Sequence, residues 1–105
     1  MFTTVLSSTA QTALAILEKF RRTKGEFIQL FLFIKNGLSL DVMCFLYEHE
    51  YPHFTSNTFN LIKSLTYFED AEETVMPQML TPISWDDVKS FFLSESVRLG
   101  KKYLT

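Results

Sequence analysis

Residues 26–36 read Glu-Phe-Ile-Gln-Leu-Phe-Leu-Phe-Ile-Lys-Asn, and the fold turns on whether this run is a strand or a helix. Apolar side chains fall on nearly every face, which a buried strand and a buried helix share. Length and ends separate the two. The run spans 11 residues, opens on an acid, and closes at Asn36-Gly37, where a glycine supplies the left-handed residue that stops a helix. The spacing predicts a helix over Glu26–Asn36.

The flanking sequence follows the same period. Upstream, Ser8 is placed to cap a helix whose Ala10, Ala13, Leu14 and Leu17 share one face, with Lys19, Arg21 and Arg22 toward its C-terminal end. Downstream, Ser39 is the N-cap of a helix with Leu40, Met43, Cys44 and Tyr47 on one side, ended by Pro52. Thr55 or Ser56 begins a fourth helix, with Phe59, Leu61, Ile62, Leu65 and Phe68 in a wide apolar stripe. An irregular acidic stretch, Glu69–Pro82, precedes a last helix opened by Ser84 in Ser-Trp-Asp-Asp. In that helix Trp85, Val88, Phe92, Leu99 and Tyr103 line up, and the indole N–H of Trp85 needs an acceptor if buried. With three glycines and three prolines there is little punctuation for a β meander. The expectation is an all-α bundle of about five helices, with residues 1–105 forming a single helical domain.

Composition bounds the function classes. Of 105 residues, 47% are hydrophobic and 11 are Phe, which excludes the disordered class. Ten Lys and Arg against 12 Asp and Glu give a net charge of −2, without the basic excess that advertises nucleic acid. One cysteine, Cys44, excludes an internal disulfide framework and fits a reducing compartment. No apolar stretch is long enough for a membrane span, and the opening lacks the charged region of a signal peptide, so a cytoplasmic location is expected.

Catalytic patterns are sparse. His49-Glu50-Tyr51-Pro52-His53 spells the zinc-peptidase signature H-E-x-x-H, but Pro52 breaks the helix that would aim both histidines at one metal. Cys44 lies on an apolar face, as a core residue does. Glu69, Asp70, Glu72 and Glu73 lack the spacing and turn glycine of a calcium loop. Gly25, Gly37 and Gly100 stand apart, so no glycine-rich phosphate cradle exists.

Two longer stretches carry a resemblance. The first runs from Arg21 to Phe54. The second, Asn60–Phe92, contains Lys63-Ser64-Leu65-Thr66-Tyr67-Phe68-Glu69-Asp70-Ala71-Glu72, then Met76-Pro77-Gln78-Met79-Leu80, then Ser84-Trp85-Asp86-Asp87-Val88-Lys89. Together, over about residues 20–95, they resemble the C-terminal helical half of the AbiEii/AbiGii-type nucleotidyltransferase toxins. The resemblance implies a family that moves a nucleotide from an NTP with Mg²⁺ and is commonly encoded beside an antitoxin. A G-G-[ST] turn and a D-x-D pair, which hold triphosphate and metal in that family, are absent from these 105 residues. The family motif R-G-T-K-K-D-F-x-D-[LI] is read here as Arg21-Arg22-Thr23-Lys24-Gly25-Glu26-Phe27-Ile28-Gln29-Leu30. Its second lysine has become Gly25, its first aspartate Glu26 and its second Gln29. By resemblance, Arg21, Lys24 and Glu26 are the remaining nucleotide or phosphate contacts.

The resulting expectation is a truncated or degenerate member of that family, inactive alone, with no cofactor of its own. Faces including Phe27, Ile28, Phe31, Leu32 and Phe33 would then need cover from a second copy, in a homodimer, or from a separate chain such as an antitoxin. The alternative is an independent helical interaction module without nucleotide chemistry.

Overall fold

In a computed structural model the chain is described over residues 8–50 and 57–103. Its elements are α1 (Ser8–Glu18), α2 (Lys24–Lys35), α3 (Leu40–Glu50), α4 (Asn57–Ser64), the single turn α5 (Glu69–Glu72) and α6 (Trp85–Tyr103). There is no strand among the described residues, so the ambiguous Phe-rich run is a helix. Helix α1 packs on α2 and α3, α3 on α4, and α6 closes the bundle against α2 and α4.

Each boundary has a local cause. Helix α2 starts two residues earlier than the spacing predicts, because Thr23 and Glu26 form a reciprocal capping box. Thr23 Oγ1 accepts from Glu26 N at 3.1 Å, and a Glu26 carboxylate oxygen accepts from Thr23 N at 3.4 Å. At the other end Asn36 is the C-cap and Gly37 has φ +113°. Leu38 N donates to Phe33 O at 3.0 Å and Gly37 N to Ile34 O at 3.1 Å, the paired bonds of a Schellman stop. The chain turns through 116° between α2 and α3. Ser39 caps α3, its Oγ accepting from Val42 N at 3.2 Å, and Ser84 Oγ accepts from Asp87 N at 3.3 Å before α6.

The core gathers on α2. Phe27 is fully buried, and its ring meets Phe20, Phe68, Phe92 and Trp85 at centroid distances of 5.0, 5.1, 5.5 and 5.8 Å. The contacts are tilted or edge-on, as ring quadrupoles favour. Around them lie Ala13, Leu14 and Leu17 of α1, Ile28 and Leu30 of α2, Met43 and Cys44 of α3, Leu61, Ile62 and Leu65 of α4, and Val88 and Leu99 of α6.

Several expectations change. Phe27 and Ile28 need no external cover, because Phe20, Phe68 and the rings of α6 roof Phe27 from within the chain, and Ile28 is buried in the same core. Phe31, Leu32 and Phe33 are half-buried against that core. Lys19, Arg21 and Arg22 lie beyond α1, which stops at Glu18. Phe59 is half-exposed, and Phe68 falls outside α4, in the residue before α5. The stretch expected to be irregular contains the α5 turn, which buries Ala71. Tyr103 points outward at the end of the α6 stripe, where its hydroxyl donates to Asp41 Oδ1 at 3.2 Å. Thr55 and Ser56 lie outside the described residues.

A second tie joins the start of α3 to the end of α6. Arg98 Nη1 donates to both Asp41 carboxylate oxygens at 3.1 Å, and Arg98 Nη2 donates to Glu95 at 3.0 Å. Partial burial pushes the Asp41 carboxyl up. The hydrogen bonds and charge of Arg98, with Lys102 and Tyr103 behind them, outweigh it and hold the group below the ordinary carboxylate value.

Two outcomes test this arrangement. Phe27→Ala removes about 3–5 kcal/mol, enough to leave little of a small domain's net stability, so the variant should melt at or near room temperature by circular dichroism. Asp41 is a group with a depressed folded-state pKa, so its stabilising contribution is present above the unfolded value and lost as pH falls through the folded one. Asp41→Asn should therefore lower Tm at pH 7, and the gap to the parent should shrink as pH drops below about 4.

Candidate functional site

The three residues that the family resemblance singles out sit together at the corner between α1 and α2. Their chemistry there is that of a helix start. Four N–H groups of a helix's first turn have no partner within the helix, which makes such an end a place for anions. Here the anion is supplied from within. Glu26 Oε1 accepts from Arg21 N at 3.0 Å as well as from Thr23 N, and Arg21 Nε lies 3.6 Å from the second Glu26 oxygen. Lys24 N donates to Thr74 Oγ1 at 3.0 Å. Thr74 Oγ1 in turn donates to Ala71 O at 2.7 Å, which fixes the hydroxyl as an acceptor for α2.

Lys24 is turned the same way. Its Nζ donates to Thr74 O at 2.8 Å and Glu72 O at 3.3 Å, capping carbonyls at the end of α5 and just beyond it. The ammonium also lies 6.0 Å from the centre of the Trp85 ring. Beside it, Trp85 Nε1 donates to Glu72 Oε1 at 2.7 Å and Lys89 Nζ to Glu72 Oε2 at 2.8 Å. These two hydrogen bonds, Lys89 foremost, hold the Glu72 carboxyl below its usual range. Lys24 and Glu26 are thus engaged within the chain, and Arg21 is the open one of the three, its side chain 79% exposed.

Arg22, one step along, carries the strain of the corner. Its φ is +57°, the left-handed region that non-glycine residues rarely occupy. Glycine would adopt this backbone without the Cβ penalty that arginine carries. Arg22 Nη2 meets Asp70 Oδ2 at 3.2 Å, and the guanidinium lies 5.0 Å from the Tyr67 ring centre.

Other candidates resolve as framework. Cys44 is buried, and desolvation, followed by the charges of Asp41 and Glu48, pushes its thiol up to about 11, far from thiolate chemistry at neutral pH. His49 is exposed in the last turn of α3 and stacks on Phe45, with centroids 6.1 Å apart and planes within 3°. Helix α3 ends at Glu50, ahead of Pro52; His53 lies outside the described residues. Of the acidic group, Asp70 pairs with Arg22, Glu69 accepts from the Tyr67 hydroxyl at 3.0 Å, and Glu72 serves Trp85 and Lys89.

Among the described residues no three His, Cys, Asp or Glu side chains converge to hold a metal. No family model, no curated protein and no solved structure matches the chain. The sequence reading passed over the capping box, although Thr23-Lys24-Gly25-Glu26 is a T-x-x-E signal in plain view.

Breaking the cap gives a direct test. Thr23→Ala should cost about 1 kcal/mol, visible as a Tm lowered by roughly 4–8 °C, while Thr23→Asp should retain most of the parent stability.

Proposed function

We propose that this chain is a degenerate helical part of a nucleotidyltransferase toxin of the AbiEii/AbiGii type, one that transfers no nucleotide by itself. The motif likeness over Asn60–Phe92 supports the family side of this reading. The observation that carries the inactive side is the fate of Lys24 and Glu26. Lys24 is engaged in holding α2 to the segment after α5, and Glu26 in capping the start of α2. Transfer of a nucleotide depends on preorganised charge around the phosphates, and a lysine capping carbonyls cannot supply it without breaking that corner.

A different class of function, an independent helical interaction module, is favoured by a separate feature. Helix α3 is apolar on two sides. Leu40, Met43 and Cys44 face the core, whereas Val42 is 51% exposed and Phe45 66% exposed. In the first reading such side chains are covered by the rest of a transferase-like assembly or by a second copy of the chain. In the second they meet an antitoxin or another protein.

Incubating the purified chain with each labelled NTP, Mg²⁺ and tRNA tests the main reading. No label should enter RNA or protein under conditions where a full-length relative transfers it, and incorporation by this chain would overturn the proposal. Gel filtration with light scattering should give a mass of twice the 12.3 kDa chain if copies cover one another. A monomer across the micromolar range would leave a separate partner as the cover.

A further inference from the structure

Helix α6 has an outward face with an unusual distribution of charge. Its inward side is Val88, Phe92, Ser96 and Leu99, set against α2 and α4. At about 3.6 residues per turn the opposite side is Asp86, Ser90, Leu93, Ser94, Val97 and Lys101. All six are exposed, and Leu93 and Val97 are large apolar side chains standing half in water. The solvent face of a surface helix ordinarily carries charge along its whole length. Here the stretch from Ser90 to Val97 carries none on that face. The charges of the middle turns lie at its flanks and are engaged there: Lys89 on Glu72 at 2.8 Å, and Arg98 on Glu95 at 3.0 Å and Asp41 at 3.1 Å.

The ends of the stripe have opposite signs. Asp86 and Asp87 stand in the first turn of α6, Lys101 and Lys102 in the last. That polarity suits the helix's own dipole, and it also decides how two such helices can meet. Side by side in parallel, acids would face acids and the dipoles would align unfavourably. Antiparallel, each acidic end comes beside a basic one. Leu93 and Val97 are one turn apart, with Glu95 midway between them in the sequence. A twofold axis level with that midpoint sets Leu93 against the partner's Val97 and Val97 against the partner's Leu93. The same register brings Asp86 and Asp87 within about one turn of the partner's Lys101 and Lys102. The face is therefore complementary to itself, the condition for an isologous interface.

We infer that the outward face of α6 is the surface on which a second copy of this chain docks, antiparallel and about a twofold axis. Leu93 and Val97 form its apolar centre, the Ser90 and Ser94 side chains are small enough for close approach, and the charged ends select the orientation. This face is separate from the Val42 and Phe45 side of α3, and it stands if the family reading fails. A single pair of helices covers less than the roughly 1,200–2,000 Å² of a stable complex, which places dissociation in the micromolar range.

Sedimentation equilibrium of the full chain, from about 1 μM to about 1 mM, tests the assignment. The data should fit a monomer–dimer equilibrium. Val97→Lys should raise the dissociation constant about tenfold or more without changing the circular dichroism spectrum, whereas Phe45→Lys on α3 should leave the constant unchanged. Asp86→Lys should weaken the dimer, and adding Lys101→Asp in the same chain should recover most of the loss, because each copy then offers the opposite charge to the other. A monomer at every concentration, or a dimer lost in Phe45→Lys and kept in Val97→Lys, would overturn the interface. A double variant no tighter than Asp86→Lys alone would overturn the antiparallel arrangement. None of these outcomes bears on nucleotide transfer, which the labelled-NTP assay reads separately.

Discussion

The Phe27 ring is the constraint on which the other elements depend. It comes from the second helix, yet it touches the connection after the first through Phe20, the segment before α5 through Phe68, and the last helix through Trp85 and Phe92. A small all-helical chain has few long-range contacts to fix how its helices meet. One fully buried ring shared by four neighbours does that at a single point. Because Phe27 lies one turn into α2, its position depends in turn on how α2 begins. The capping box at Thr23 and Glu26 therefore sets where the ring enters the core, and a local sequence signal acts on tertiary structure.

That coupling bears on function. The corner holding Arg21, Lys24 and Glu26 is also the start of the helix that carries the core ring. Lys24 and Glu26 each have defined partners within the chain, and Lys24 reaches across to residues 72 and 74. The length of the Glu26 side chain lets its carboxylate swing back onto the amides of Arg21 and Thr23. Recruiting these groups for a ligand would cost the cap, and the cap supports the core.

The helical class was legible because Glu26–Asn36 is too long and too clearly terminated for a strand, and Gly37 takes up the positive φ that its position beside Asn36 demanded. The inward faces of α1 and the Ser39 and Ser84 caps were readable for the same reason, being local rules of spacing and side-chain reach. Which apolar residues stay outside was not legible. Phe27 and Phe45 look alike in a hydrophobic pattern, yet one is the centre of the core and the other stands in water. The difference is made by the 116° corner between α2 and α3, a tertiary angle that periodicity does not encode. The engagement of Lys24 with Thr74 was hidden likewise, since it joins residues 50 apart in the chain.

The two ends of α6 are fastened by different physics. Its first half is bolted into the aromatic cluster by Trp85, Val88 and Phe92, where burial is insensitive to ionic strength. Its second half buries Leu99, yet its outer side is tied to α3 by Asp41, Arg98 and Lys102, which are exposed enough for salt to screen. Ionic strength thus acts as a selective solvent for one end of a rigid rod. In concentrated salt the last turns of α6 lose amide protection relative to the end beside Phe27, which keeps its own.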